Sequence, residues 1–392
     1  MISPVMPTYA RADLAFDRGE GVYLHATDGK RYLDFGSGVA VTGLGHCHPH
    51  LVEALTGQAG RLWHCSNLYQ IPEQTRLAER LVAASFADSV FFNNSGAEAV
   101  ETSIKMARKY HDGQGHPERY RVVTCEGAFH GRSLATIAAG GQEKHLAGFG
   151  PVVDGFDQVG FGNLGEMRAA IGPETAAILV EPVQGEGGIR PMPLDYLKGL
   201  REIADEFGVL LMFDEVQCGI GRTAKLFAHE WAGIEPDVLA AAKALGGGFP
   251  LGACLAKEAP AAALTPGSHG STFGGNPLAM AVGNAVLDVV LADGFLDRVD
   301  ATARKLWTRL EELVAAHPEV FADVTGAGLM VGLKCVPENA TVVGKLAEGG
   351  LLTVAAGNNV VRLVPPLIID DSHVDEALAI MENACAELKE AA

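Results

Sequence analysis

Val209-Leu210-Leu211-Met212-Phe213-Asp214-Glu215-Val216-Gln217, taken with Asp237-Val238-Leu239-Ala240-Ala241-Ala242-Lys243, sets the fold expected of this chain. Each segment carries a continuous apolar run of strand length that stops at a charged residue. A strand buried on both faces of a parallel sheet has this pattern. Asp214 and Lys243 then stand at C-terminal strand ends, which in open parallel sheets face one crevice where ligands bind. A lysine there can form a Schiff base, and an acid there can hold a pyridine nitrogen protonated. Pyridoxal phosphate chemistry requires both. The run Gly246-Gly247-Gly248-Phe249-Pro250-Leu251-Gly252 follows, a backbone able to bend around a ligand. Taken singly, Asp214 also suits a turn cap and Lys243 a snorkelling lysine at a strand end.

Outward from this pair, short buried strands are expected at 89–92, 121–124, 177–180, 209–213, 238–241 and 252–256. Helical spacing of apolar residues covers 73–84, 97–110 and 194–207. The alternation predicts an α/β fold with a mostly parallel sheet flanked by helices. The ends differ. Residues 21–25 and 31–35 read as a hairpin about Thr27-Asp28-Gly29. From about 277 a long helix leads into strand-like pieces at 329–335, 352–354 and 360–363, and a last helix at 372–390. The expected division is a small α+β domain built from 1–55 and 277–392 around a large domain at 56–276.

The net charge is 30 − 48 = −18, so a nucleic-acid partner is not expected. Seven dispersed cysteines without a CxxC fit reduced thiols in the cytoplasm. Met1-Ile2-Ser3-Pro4 shows no secretory pattern, and no apolar run reaches the roughly 18 residues of a membrane span.

Further motifs sit where strands end. Asn93-Asn94-Ser95-Gly96-Ala97-Glu98-Ala99 opens a helix; Ser95 is a good N-cap, and free amides at Gly96 and Ala97 favour a phosphate. An ordinary capped helix reads the same way. Val216 suits packing on a ring face, and Gln217 donation to a ring phenolate. Phe129-His130-Gly131-Arg132 offers an aromatic for stacking and an arginine fork for a carboxylate; a surface ion pair is the plainer account of Arg132. Glu181-Pro182-Val183-Gln184-Gly185-Glu186 places two acids that need cationic partners or water. His46-Cys47-His48 lacks a fourth partner at metal-site spacing and reads as a structural loop, with no metal.

In this order, from Gly45-His46-Cys47-His48-Pro49 to Asn359-Val360-Val361-Arg362-Leu363-Val364-Pro365-Pro366, these segments resemble the class III (ornithine-type) aminotransferases, which are fold-type I pyridoxal phosphate enzymes. The resemblance implies that Lys243 carries the cofactor and later moves the proton, and that Asp214 pairs with the pyridine nitrogen. It implies that Ser95, Gly96 and Ala97 hold the phosphate, and that Phe129, His130, Val216 and Gln217 surround the ring. Thr272, with Ser271 beside it at the substrate side, would reach the site of a neighbouring subunit, making a homodimer with shared active sites. Arg132 would hold the distal carboxylate of the donor. Glu186 would neutralise Arg362, then release it for the α-carboxylate of glutamate. The resemblance is greatest to the branch that moves the δ-amine of N2-acetyl-L-ornithine to 2-oxoglutarate, giving N-acetyl-L-glutamate 5-semialdehyde and L-glutamate in arginine biosynthesis. Ornithine-specific members carry a tyrosine where this chain has Val39, and loss of its hydrogen bond to a free α-amine costs about 1 kcal/mol. Succinylornithine, ornithine, 4-aminobutyrate or succinyl-diaminopimelate as donor, and an isomerase on the same cofactor, are the alternatives.

Overall fold

A computed structural model describes residues 3–390; Met1 and Ile2 of the opening segment, and the last two residues of the C-terminal unit, lie outside it. The central sheet has seven strands: β1 (Ser89–Asn93), β2 (Arg121–Cys125), β3 (Phe156–Val159), β4 (Thr175–Val180), β5 (Leu210–Asp214), β6 (Val238–Ala241) and β7 (Gly252–Ala256). Their order is β1-β7-β6-β5-β4-β2-β3. β7 runs antiparallel to both neighbours, and the other pairings are parallel.

Residues alternate between two cores across the central strands. Ile178, Val180, Leu211 and Phe213 pack with Tyr196, Leu200 and Ile203 of the helix Leu194–Phe207. Ala177, Leu179, Leu210 and Met212 pack on the other face with Val100, Ile104 and Ala107 of the helix Gly96–Gly113. Both faces are therefore dry, which explains why β4 to β7 read as unbroken apolar runs.

The expected hairpin is present as Tyr23–Ala26 against Arg31–Asp34, extended by Phe16–Glu20 on its outer side. Leu351–Leu352 pairs in parallel with Leu33 and Asp34, so strands from the two ends of the chain share one sheet. A second sheet runs in the order Phe321–Ala327, Met330–Cys335, Val360–Leu363, Val354–Ala356. The long helix expected from 277 is two helices, Pro277–Val290 and Phe295–Ala316, bent by 69°. The left-handed Gly294 (φ +76°) makes the break. No single helix among the described residues is long and apolar enough to cross a membrane.

Candidate active site

β1 ends at Asn93, and Ser95 caps the helix that follows. The Ser95 hydroxyl accepts the Glu98 amide at 3.3 Å, and the Glu98 carboxylate accepts the Asn94 amide at 2.8 Å. This exchange fixes the turn while leaving the first-turn amides of Gly96 and Ala97 without intrahelical acceptors. Gly96 admits no larger residue without movement, because a Cβ there would lie 2.6 Å from Val216 Cγ1.

Asp214, the last residue of β5, is 3% exposed. Its Oδ1 accepts the Val216 amide at 3.0 Å, and its Oδ2 pairs with His130 Nδ1 at 2.8 Å. His130 Nε2 is buried and has no partner. Burial opposes protonation of this imidazole, but the hydrogen bond and charge of Asp214, with the charge of Glu181, raise its pKa overall. Glu181 is also buried. Its oxygens accept the amides of Phe129 (2.9 Å) and Gly185 (3.1 Å). Burial first, and then the Asp214 charge, push its pKa up. The carboxylate of Asp214 is thus positioned by one imidazole and one amide, with lone pairs left for a further donor.

Lys243 follows β6 and opens the short 3₁₀ turn Lys243–Gly246 with φ +48°. A lysine in this left-handed region carries backbone strain of order 1 kcal/mol or more. Burial lowers its pKa to about 8; Arg362 acts in the same direction, while Glu186, Asp214 and Glu181 oppose it. An amine so shifted is a better nucleophile near neutral pH.

A cavity of about 430 Å³ brings together Lys243, Asp214, Val216, Gln217, Ser95, Gly96, Ala97, Phe129, His130 and Arg132. Arg132 is exposed, and no carboxylate among the described residues lies within 4 Å of it. Its guanidinium stands 5.6 Å from the Phe129 ring centroid.

Arg362 does not line that cavity. It sits on Val360–Leu363, is 1% exposed, and reaches the wall through Gln217. Its Nη1 donates to Gln217 Oε1 at 2.9 Å and to Glu186 Oε1 at 2.6 Å. Burial would raise the Glu186 pKa, but the Arg362 charge and hydrogen bond lower it overall. Glu186 is itself outside the cavity lining.

Ser271 and Thr272 are not brought to Lys243 within the chain. They line a second cavity of about 420 Å³ that shares only Asn94 with the first. Asn94 Nδ2 donates to the Ser271 hydroxyl at 3.2 Å. Val39 is likewise absent from the first cavity; from its segment the wall is formed by Val41. Ser37, Gly38, Val39 and Ala40 all have positive φ, so the chain makes a left-handed turn here. His46 pairs with Asp34 at 2.8 Å. Among the described residues no cluster of three or more His, Cys, Asp or Glu side chains could hold a metal.

Pyridoxal phosphate, the cofactor implied by sequence, fits these groups. An amide pair at a helix start suits its phosphate, a buried carboxylate its pyridine nitrogen, the apolar Val216 and Phe129 its ring, and a buried amine its aldehyde.

A class-III aminotransferase family model matches residues 6–385. The chain is 62% identical over 376 residues to the acetylornithine aminotransferase of Mesorhizobium japonicum, covering 96% of this chain and 94% of that one. Its fold is similar to the N-acetylornithine aminotransferase of Stenotrophomonas maltophilia (TM-score 0.86, 37% identity, 98% of each chain). It is also similar to an ornithine aminotransferase of Toxoplasma gondii with partial occupancy of PLP at its active site (TM-score 0.94, 30% identity, 99% of this chain and 93% of that one).

Proposed function

Because the chain belongs to the class-III aminotransferases, which are pyridoxal-phosphate-dependent, we propose that it transfers the δ-amine of N2-acetyl-L-ornithine to 2-oxoglutarate, giving N-acetyl-L-glutamate 5-semialdehyde and L-glutamate. The observation that carries this reading is the disposition of two arginines. Arg132 stands unpaired at the cavity, while Arg362 is buried and neutralised by Glu186. A donor with one carboxylate far from its reacting amine needs one free arginine and one silenced. A dicarboxylate acceptor needs both, and Glu186, about 30% exposed, has room to move aside.

Pyridoxal phosphate, when bound, would supply the electron sink for the transfer. The chain's residues do the rest. Lys243 would hold the cofactor through Nζ and, once released, would take up a proton at that atom and hand it back. Asp214, oriented by His130 and the Val216 amide, keeps the ring nitrogen protonated. The amides of Gly96 and Ala97, with Ser95, hold the phosphate. Val216 and Phe129 would confine the ring, and Gln217, whose amide oxygen accepts from Arg362, would keep its NH2 as a donor for the ring oxygen. Arg132 grips the distal carboxylate of either substrate.

A homodimer completes the site, with Ser271 and Thr272 serving the neighbouring subunit. Apolar side chains flank their loop: Leu68 is 87% exposed, Trp63 66% and Phe273 61%, and Asn67 donates to the carbonyls of Ser271 and Gly274. Seven free thiols suit a reducing cytoplasm.

An amino-donor panel against 2-oxoglutarate tests the assignment. Acetylornithine is expected to give the highest kcat/KM and ornithine a much lower one. A preference for ornithine would overturn the acyl-donor assignment, and turnover without any oxoacid would indicate an isomerase.

A further inference from the structure

Arg222 is the largest fully buried side chain apart from Arg362 and has no acidic partner among the described residues. Its Nη1 donates to two main-chain carbonyls, those of Leu329 (3.2 Å) and Pro365. Its Nε and Nη2 are buried without partners. Burial lowers its pKa to about 9. A methionine would fill this volume without the cost of desolvating a cation. What the guanidinium adds is a rigid donor joining three pieces of chain.

Those pieces are the loop after Asp214, the turn at Gly328-Leu329, and the segment leaving the strand of Arg362. The fit is close. A Cβ on Gly328 would lie 2.7 Å from Thr223 Cα, and one on Gly221 would lie 2.9 Å from Leu367 Cδ1. The Leu329 amide donates back to the Arg222 carbonyl at 3.0 Å. The segment after Arg362 is held on its other side by Val364 N–H to Phe35 O and Leu367 N–H to Gly43 O, both 2.7 Å. The loop that begins with Asp214 therefore holds the Arg362 side chain through Gln217 and the main chain three residues further on, at Pro365, through Arg222.

We propose that Arg222 is a positioning residue for the acceptor substrate: by clamping the Pro365 and Leu329 carbonyls to the Asp214 loop, it fixes Arg362 at the depth where glutamate and 2-oxoglutarate present their α-carboxylate. The proposal rests on the role given to Arg362 above. It predicts an asymmetry that general destabilisation would not produce. In the donor half-reaction Arg362 stays with Glu186 and touches no substrate, so its depth matters little. In the glutamate half-reaction that depth sets binding.

The test is Arg222→Lys in the holoenzyme, with each half-reaction followed separately by the cofactor's absorbance and with thermal unfolding as a control. Leu367→Val, which loosens the opposite side of the joint while leaving the guanidinium, is measured alongside. For Arg222→Lys, the glutamate concentration giving half-maximal rate should rise at least tenfold with little change in the limiting rate. The acetylornithine half-reaction should stay within about threefold of wild type. Leu367→Val should shift the same parameter in the same direction, by less. Equal losses in both half-reactions, no loss in either, or failure of both variants to fold would each overturn the proposal and leave Arg222 as part of the folding core. If the wild-type enzyme showed no half-reaction with acetylornithine, the functional assignment would fail instead, and that control is read first.

Discussion

Replacing Glu186 with glutamine tests the two-arginine device directly. The substitution keeps an acceptor beside Arg362 Nη1 and nearly the same volume, but removes the charge. In a medium of effective dielectric about 20, charges about 4 Å apart attract by about 4 kcal/mol. Glu186 is about 30% exposed, so solvent screening reduces this to roughly 2 kcal/mol, or about 30-fold at 1.4 kcal/mol per decade. Without its counter-charge, Arg362 competes for the carboxylate of acetylornithine and draws the donor into an unproductive pose. Glutamate loses nothing, since it no longer has to displace Glu186. The two half-reactions, followed by stopped-flow absorbance, should diverge: kcat/KM for acetylornithine falls about 30-fold while that for glutamate holds or rises. Protonation of Glu186 has the same effect as the substitution. Because its pKa is lowered, the ion pair is intact above the usual carboxylate range and is lost as pH falls through the depressed value. An unchanged ratio of the two half-reactions in Glu186→Gln would refute the argument.

Three more outcomes are expected. Lys243 has its pKa lowered to about 8 from 10.5, so the unfolded chain binds more protons than the folded one between those values, and stability of the cofactor-free protein should rise with pH across that window; Lys243→Met should be more stable than wild type at pH 7 by about 3 kcal/mol in chemical denaturation, with the gap closing toward pH 10. Gly96→Ala drives a methyl group against Val216 and should weaken pyridoxal phosphate binding by about 1–3 kcal/mol in equilibrium titration, and Val216→Ala should restore much of the loss. Arg132→Lys keeps the charge but loses the planar fork, which should cost about 1–3 kcal/mol in kcat/KM for both acetylornithine and glutamate; unchanged kinetics for both would remove Arg132 from the site.

The parts legible in the sequence are those where one residue's surroundings follow from its own strand. Asp214 and Lys243 end runs buried on both faces, and such runs announce themselves. β3 (Phe-Asp-Gln-Val) is an edge strand whose polar residues face half-open surroundings, so no apolar run marks it. Phe321–Ala327 is mostly exposed or half-buried and escapes for the same reason. The strand Phe16–Glu20 carries Asp17, Arg18 and Glu20 and has no apolar run. Within the site, the Arg362–Glu186 pair could be expected only through the family resemblance, since 176 residues separate the partners. The amide seat of Glu181 and the clamp made by Arg222 depend on main-chain groups, and main chain has no signature in the sequence.

The sheet joining Leu33-Asp34 to Leu351-Leu352 has a bearing on biosynthesis. Chains emerge from the ribosome N-terminus first, at roughly 5–20 residues per second. The seven-stranded core is complete in sequence by Ala256, but the hairpin that preceded it must wait for residue 351 to find its parallel partner, and the seat of Arg362 closes later still. A nascent chain thus holds the walls for the cofactor many seconds before it can tell one carboxylate from another, and its first segment remains an unpaired edge for that interval.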